Sequence, residues 1–166
     1  MNSIGLLKQD FRHWAQVEQL SADSGMLSLF FKNKAFRSVA YYRMRRSGII
    51  LRIIQRVLRI LLPEQERLYI KTSQIGGLYI EHGFATIITA DSIGKNVWIN
   101  QQVTIGYNGD KAPIIGDDVV IYAGAKVVGG VRVGNNVTIG ANAVVNKDIP
   151  DNCVVGGVPA RILKMR

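Results

Sequence analysis

Histidines are the residues of this 166-residue chain best suited to acid–base chemistry, and only two are present, His13 and His82. The ordinary pKa of an imidazole lies close to neutral pH, so the ring can accept a proton and return it. A zinc site that activates water would need about three histidine ligands, which two isolated histidines do not supply. We therefore expect no metal. His82, in the stretch Ile80-Glu-His-Gly83, is the candidate for chemistry.

A six-residue repeat runs from about Ile87 to Val145. An Ile or Val opens each hexad, a Val or Ala follows four residues later, and Gly, Ala or Asn cluster between them. Clear examples are Ile93-Gly-Lys-Asn-Val-Trp, Ile115-Gly-Asp-Asp-Val-Val and Val133-Gly-Asn-Asn-Val-Thr. A period of six fits neither an α-helix nor a heptad, but it is typical of a parallel β-helix with a triangular cross-section. We expect the opening aliphatic residue to point into this prism and the fifth residue to fill the corner.

The repeat fails at two places. Ile80 and Ile87 are seven residues apart rather than six, and this interval contains His82. Ile105 and Ile115 are ten residues apart, which is six plus an extra four, so residues 107–113 are predicted to bulge from one corner as a loop. Deviations from a regular pattern and loops on rigid scaffolds are frequent sites of function.

The composition limits the kinds of molecule that the protein is expected to bind and the compartment in which it is expected to work. The net charge of +9 favours anionic partners, but the chain has no zinc-ligand spacing and no aromatic RNA-binding pattern, so we expect no nucleic acid. The single cysteine, Cys153, excludes an intrachain disulfide and fits a reducing cytoplasm. Neither a signal peptide nor an apolar run long enough to span a bilayer is evident, so we expect a cytoplasmic protein.

Three parts are predicted: an α-helical region (1–72), a β-helix (73–150) and a closing tail (151–166). Apolar residues at spacings of three and four predict helices over residues 6–20, 26–46 and 49–62. A break at Ser21-Ala-Asp-Ser-Gly25 separates the first two helices, and residues 64–72 are expected to connect the last helix to the prism. His13 lies in the first helix without a partner motif, so we expect a solvated or packing histidine rather than a catalytic one.

The third predicted helix is basic and amphipathic. Arg45, Arg52, Arg56 and Arg59 fall in one narrow stripe. The opposite face carries Ile50, Ile54, Val57, Leu58 and Leu61. We favour an apolar face packed on neighbouring helices with the arginines in water, because many surface helices look this way. The alternative is peripheral contact with the inner face of an anionic membrane through the four arginines.

Three features together resemble the left-handed β-helix (hexapeptide-repeat) acetyltransferases. They are the repeat itself, Ile80-Glu-His-Gly83, and Val155-Gly-Gly-Val-Pro-Ala-Arg161 after the prism. The serine acetyltransferase-like branch is the most similar, since it has an acidic residue, His and Gly or Ala at the positions of Glu81, His82 and Gly83. Tyr42-Arg43 is also similar to its helical part. The resemblance covers the chain from about Leu27 to its end and implies a left-handed, mainly β fold, a homotrimer and acetyl-CoA bound between adjacent prisms.

The resemblance also implies site residues. His82 would be the general base on an acceptor hydroxyl, and Glu81 would orient it. Glu81 could instead serve the acceptor or face solvent, because consecutive residues on a strand point in opposite directions. The positions implied for coenzyme A are Gly106, Ala123, Thr138, Ala141 and Arg161. Tyr107, Asn108 and Lys111 of the loop would bind the acceptor. Taken singly, the alanines could also be ordinary corner residues of the repeat.

Two differences from the serine acetyltransferases determine which acceptor we expect. Serine acetyltransferases carry a second histidine in an Arg-His-Pro motif, where this chain reads Lys111-Ala112-Pro113. The helical region, about seventy residues, is also roughly half as long as theirs, which leaves their dimer-of-trimers assembly open. We therefore expect an O-acetyltransferase acting on a sugar hydroxyl in polysaccharide biosynthesis. The alternatives are a serine O-acetyltransferase of cysteine biosynthesis and a non-catalytic hexapeptide-repeat scaffold.

Overall fold

The computed structural model describes residues 3–20, 25–73 and 76–166. Four helices precede the prism in the described residues: α1 (Ser3–Val17), α2 (Gly25–Lys32), α3 (Lys34–Arg45) and α4 (Ile49–Leu61). The predicted second helix is wrong in one respect, since it is divided at Asn33. The Asn33 side chain accepts a hydrogen bond from the Phe36 amide at 3.0 Å and so caps a new helix. Most of the predicted break, residues 21–24, lies outside the described residues.

Buried polar contacts dock the helices onto the start of the prism. Asp10 of α1 forms a two-pronged ion pair with Arg43 of α3, at 2.7 and 2.9 Å, and accepts the Leu78 amide at 2.9 Å. Burial raises the pKa of Asp10, and the hydrogen bond and charge of Arg43 oppose that rise. Trp14, fully buried, donates its indole N–H to the Leu78 carbonyl at 2.8 Å. His13, for which we expected no catalytic role, hydrogen-bonds to the Gly77 carbonyl.

The remaining chain forms fourteen short strands among the described residues. They are β1 (Leu68–Thr72), β2 (Tyr79–Ile80), β3 (Thr86–Ala90), β4 (Ser92–Ile93), β5 (Trp98–Ile99), β6 (Thr104–Gly106), β7 (Ile114–Ile115), β8 (Val120–Ile121), β9 (Lys126–Val128), β10 (Arg132–Val133), β11 (Thr138–Ile139), β12 (Val144–Val145), β13 (Cys153–Gly156) and β14 (Arg161–Met165). β1 occupies residues that we expected to be a connector, and it pairs in parallel with β3.

Three sheets form the faces of the prism. The first face holds β2, β5, β8, β11, β13 and β14; the second holds β1, β3, β6, β9 and β12; and the third holds β4, β7 and β10. From β2 to β13 the chain visits the faces in that order, coil after coil. Every pairing is parallel except that of β13 with β14. The predicted left-handed parallel β-helix with an α-helical N-terminal region is confirmed.

Aliphatic side chains from successive coils stack inside the prism. The first face contributes the fully buried residues Ile80, Ile99, Ile121, Ile139 and Val155. The fifth residues of the hexads fill the corners as predicted, and those with no exposed surface are Val97, Val103, Val119, Ala125, Val137 and Ala143. The phase is wrong at the start of the repeat, because Ile88 rather than Ile87 points inward. Ile88 is fully buried and pairs with Ile105, whereas Ile87 is 44% exposed.

The favoured interpretation of the basic helix is also wrong. In α4, only Gln55 is buried, and Leu51, Leu58 and Leu62 are half-buried. Most of the residues expected to pack on neighbouring helices are exposed, namely Ile50, Ile54, Val57 and Leu61. Neither α4 nor any other helix in the described ranges is long and apolar enough to cross a membrane.

Candidate active site

His82 lies just after β2, at the corner between the first and second faces. Its backbone adopts a left-handed conformation with φ of +61°, so the strand's alternation of side chains ends before it. Glu81 and His82 therefore approach each other, with 3.9 Å between Glu81 Oε1 and His82 Nε2. The His82 side chain is 66% exposed and the Glu81 side chain 33% exposed. An accessible imidazole beside a carboxylate can take up a proton at this corner.

The turn that follows requires glycine. Gly83 is also left-handed, with φ of +66°, and a Cβ there would lie 2.9 Å from Ile80 Cγ2. Two consecutive left-handed residues turn the chain from the first face to the second and leave the imidazole exposed at the corner.

Neighbouring coils hold the Glu81 carboxylate in place. Trp98 of β5 donates its indole N–H to Glu81 Oε2 at 3.0 Å, and the side-chain amide of Asn100 donates to the same oxygen. The Trp98 ring packs edge-on against Tyr79 at 5.1 Å, and Tyr79 contacts Trp14 of α1 at 4.5 Å. This chain of aromatic rings links the helical region to the acidic residue beside His82.

The hydroxyl of Tyr79 is bonded to the helical region rather than to the Glu81 carboxylate. It donates to Glu18 Oε1 at 2.8 Å. Burial, followed by the hydrogen bond to Glu18 and the charges of Glu18 and Glu81, raises the pKa of Tyr79. The phenol therefore stays protonated and keeps donating to Glu18.

Two amide oxygens beside this site have no partner. Asn100 Oδ1 and Gln101 Oε1 are buried and accept no hydrogen bond from the part of the chain that the structure describes. A buried polar atom without a partner is costly and uncommon.

Small residues continue the corner beyond His82. Ile80, Ile99, Ile121 and Ile139 pair in sequence across the first face. The residues two positions later are stacked at the corner, in the order His82, Gln101, Ala123 and Ala141. Coils about 4.8 Å apart make this stack roughly 14 Å long. Backbone bonds from Gly124 to the Gln101 carbonyl and from Asn142 to the Ala123 carbonyl connect the coils.

Gly106 and the predicted loop occupy a different corner. Gly106 ends β6, and the loop of residues 107–113 projects between the second and third faces, as the extra four residues predicted. Within the loop, the backbone amide of Asn108 donates a hydrogen bond to the Lys111 carbonyl at 3.1 Å, and the Tyr107 side chain is half exposed. His82 lies at the other end of the second face, roughly 15–20 Å away at about 3.3 Å per residue of strand. Within one chain, the structure does not bring Tyr107, Asn108 and Lys111 to His82.

The last two expected coenzyme A positions lie on or beside the first face. Thr138 of β11 is largely buried, and its hydroxyl accepts a hydrogen bond from Arg166 Nη2 at 2.7 Å. Arg161 opens β14 and is exposed. Arg166, which the sequence did not single out, therefore brings a cation beside Thr138.

The sequence analysis also missed Trp98, Asn100 and Gln101. A signal was present, because the hexad that begins at Ile99 carries three consecutive amides, Asn100, Gln101 and Gln102, where other hexads have Gly or Ala. No group of three or more His, Cys, Asp or Glu residues within 3–20, 25–73 and 76–166 is arranged to hold a metal ion.

Comparison with known proteins agrees with this architecture. Residues 112–147 match the bacterial transferase hexapeptide (six repeats) family. A serine acetyltransferase from Staphylococcus aureus (strain Mu50 / ATCC 700699) is 45% identical over a 92-residue alignment that covers 52% of this chain and 43% of that protein. The chain thus spans less than half the length of this curated relative.

Solved structures cover nearly the whole chain. Serine acetyltransferase from Brucella abortus strain S19 has a TM-score of 0.75 at 28% identity, covering 96% of this chain and 68% of that one. Its complex with coenzyme A has a TM-score of 0.66 at 29% identity, covering 96% and 67%. Neisseria gonorrhoeae serine acetyltransferase in complex with serine has a TM-score of 0.73 at 26% identity, covering 98% and 69%.

The chain carries hexapeptide repeats that form a left-handed β-helix. Serine acetyltransferases are among the solved proteins that are similar to it in structure.

These findings correct the expected acceptor. The preference for a sugar hydroxyl and for polysaccharide biosynthesis was wrong, because the relatives and the structural neighbours are serine acetyltransferases. The preference depended on the missing loop histidine and the short helical region. The likeness to those structures extends over 96–98% of the chain, so it includes the helices.

Proposed function

We propose that the protein is an acetyl-CoA-dependent O-acetyltransferase whose acceptor is serine. The observation that carries the proposal is the corner at which His82 stands beside a fixed carboxylate, above a column of small residues. Similarity to serine acetyltransferases with coenzyme A and with serine bound supports the choice of both substrates.

In the proposed reaction, His82 accepts the proton of the serine hydroxyl as its oxygen attacks the acetyl carbonyl carbon. Acetyl-CoA supplies the acetyl group as a thioester. A new oxygen–carbon ester bond forms, the carbon–sulfur bond breaks, and His82 returns the proton to the departing sulfur. Glu81, held by Trp98 and Asn100, orients the imidazole and stabilises it while it carries the proton.

The residues at this corner fit a pantetheine chain. Ala123 and Ala141 leave room beside the backbone for such a chain. Thr138 and Arg161 are proposed to lie towards the phosphate and adenine end, where a guanidinium suits a phosphate. Arg166, bonded to Thr138, adds a second positive charge there. Gly106 lies away from this stack and is proposed to contact the coenzyme from a neighbouring copy.

We propose a homotrimer, because the site is incomplete in one chain. Tyr107, Asn108 and Lys111 are proposed to bind the acceptor, yet they lie one full face away from His82. A threefold arrangement of prisms would place the loop of one copy at the His82 corner of the next. Lys111 stands near the place of the missing loop histidine and offers a cation for the serine carboxylate.

The proposed location is the cytoplasm, where serine and acetyl-CoA are available and Cys153 stays reduced. Peripheral membrane contact through Arg45, Arg52, Arg56 and Arg59 concerns α4 and the end of α3, and it is a proposal separate from transfer.

A thiol-release assay with acetyl-CoA tests the proposal. Turnover is expected with serine and not with threonine or other hydroxyl compounds. His82→Ala is expected to lower kcat at least about a hundredfold while affinity for coenzyme A, measured by calorimetry, is unchanged. His13→Ala, the matched change at the only other histidine, should keep full turnover.

A fully active His82→Ala variant would overturn the mechanism. Turnover with another hydroxyl but not with serine would overturn the acceptor. Absence of both turnover and coenzyme A binding would instead favour a non-catalytic scaffold.

A further inference from the structure

The outer surface of α4 is the least expected feature of the molecule. Exposed aliphatic side chains cover one arc of the helix: Ile49, Ile50, Ile53, Ile54, Val57, Ile60 and Leu61. At 100° per residue they fill a continuous arc of about 140°. Ile60 and Leu61 are 82% and 75% exposed. So wide an apolar surface on one helix marks a site of contact.

The rest of the helix fixes which way this arc faces. Leu51, Gln55, Leu58 and Leu62 contact the protein on another side of the helix. Arg52, Arg56 and Arg59 fill the arc between the buried side and the apolar arc. The aliphatic arc therefore points away from the protein, with a row of cations along one border.

The surroundings of α4 are strongly basic. Residues 43–71 contain eight Arg or Lys and two Glu, which gives +6 of the chain's net +9. A cavity of about 410 Å³ beside the helix is lined by Arg45, Arg46, Arg59 and Lys71, with Glu64 as its carboxylate. Glu64 pairs with Arg59 at 2.8 Å and leaves the other cations in excess.

We infer that α4 lies on the surface of an anionic lipid bilayer. The aliphatic arc would enter the boundary between headgroups and acyl chains, and Arg52 and Arg56 would reach the phosphates at its border. The basic cavity would hold a headgroup phosphate. A second copy of the chain fits this surface less well, because the same cations on both copies would face each other, whereas anionic lipids neutralise them. This inference does not depend on the proposed acetyl transfer.

Sedimentation of the full chain with vesicles tests it. We expect binding to vesicles of phosphatidylcholine and phosphatidylglycerol in equal parts, and loss of binding at high salt, which screens the charges. Arg52→Gln with Arg56→Gln should weaken binding about thirty-fold, since each cation near such a surface contributes about a factor of five. Ile53→Ser with Ile60→Ser should weaken it at least about tenfold.

Both pairs replace exposed side chains, so the fold should be kept. Arg132→Gln with Lys147→Gln is the matched control, because it removes two exposed cations far along the prism and should leave binding unchanged. His82→Ala should also keep vesicle binding, so failure of transfer and failure of membrane contact can be told apart.

Several results would overturn the inference. They are no sedimentation of the wild-type chain, equal binding to pure phosphatidylcholine vesicles, or an equal loss in the control pair. Analytical ultracentrifugation tests the alternative that a second copy of the chain occupies this surface. Suppose that the wild-type chain does not bind vesicles but forms an assembly, and that Ile53→Ser with Ile60→Ser dissociates this assembly. The α4 surface would then be an interface between copies of the chain.

Discussion

At the scale of single residues, the site depends on one backbone conformation. The sequence singled out His82 as the candidate, because it is the only histidine in the repeat and lies where the repeat fails. It was not sufficient to place Glu81, since the alternation rule for strands separates consecutive side chains. The alternation does not hold at His82, because its φ is left-handed. Such a conformation in a non-glycine residue cannot be recognised from residue type.

Trp98 is predicted to position Glu81. Trp98→Phe keeps an aromatic ring against Tyr79 but removes the N–H that bonds Glu81 Oε2. Loss of a hydrogen bond to a charged group costs about 1.5–3 kcal/mol, so kcat should fall about tenfold or more while the KM for acetyl-CoA is unchanged. Steady-state kinetics provide the measurement. The control is Tyr79→Phe, which loses the bond to Glu18 and should keep kcat; equal kcat in both variants would exclude the positioning role.

Cys153 is predicted to be chemically inert in the folded protein. The thiol is fully buried and contacts the Pro150 carbonyl at 3.2 Å. Burial raises the pKa of Cys153, which lowers the fraction of reactive thiolate at neutral pH. Alkylation by iodoacetamide, followed by mass spectrometry, should be at least about a hundredfold slower than in denaturant. Rapid labelling of the native chain would show that β13 opens readily.

At the scale of elements, glycines determine how closely the coils approach. Gly94, Gly116 and Gly134 are stacked at the corner between the third and first faces. A Cβ on Gly116 would lie 2.6 Å from the Gly134 carbonyl oxygen, and one on Gly134 would lie 2.6 Å from the Asp151 amide nitrogen. Side-chain oxygens of Asp117 and Asn135 accept backbone amides of the preceding coil, those of Lys95 and Asp117, at 2.8 Å. The repeated Gly of the hexads is thus a packing requirement.

Gly116→Ala is therefore predicted to destabilise the prism. Because the obstructing atoms belong to the backbone, they cannot turn aside, and the free energy of unfolding should fall by about 2 kcal/mol. Gly48→Ala is the matched control, since a Cβ there meets nothing within 4 Å, and its effect should stay within about 0.5 kcal/mol. Urea denaturation of both variants measures the difference. Equal midpoints would mean that the coils can separate without cost.

Helix ends and helix surroundings differ in how far the sequence determines them. The division at Asn33 was readable in principle, because Asn is a favoured N-cap residue. The exposure of the aliphatic arc of α4 could not be predicted, because an amphipathic pattern shows which residues are apolar but not what covers them.

Asn33→Ala is predicted to lower the free energy of unfolding by about 1 kcal/mol, through loss of the bond to the Phe36 amide. Asn33→Asp keeps an accepting oxygen and should retain most of the stability. Thermal denaturation followed by circular dichroism measures both. An Ala variant as stable as the wild type would show that packing alone sets the start of α3.

At the scale of the whole molecule, the triangular section separates the residues that the proposed reaction needs. The period of six predicted the prism, and the ten-residue interval predicted the loop. The corner to which each irregularity would belong could not be predicted, because it depends on counting coils through the irregular interval from Ile80 to Ile88. The observed register puts His82 and the loop at opposite ends of the second face. The proposed assembly of the site from two copies depends on this placement.

Complementation between two inactive variants tests the shared site. Removal of residues 108–111 restores the six-residue interval between the preceding and following hexads, so the prism should fold without the loop. We expect this variant and His82→Ala each to be inactive. Co-expressed with different tags and purified as mixed trimers, they should regain about a third of wild-type turnover, since one of the three sites in each mixed trimer then combines an intact His82 with an intact loop from a neighbour. A mixture of two separately purified homotrimers is the control and should stay inactive. If the loop and His82 of the same chain act together, every site of a mixed trimer lacks one of them, and no activity returns.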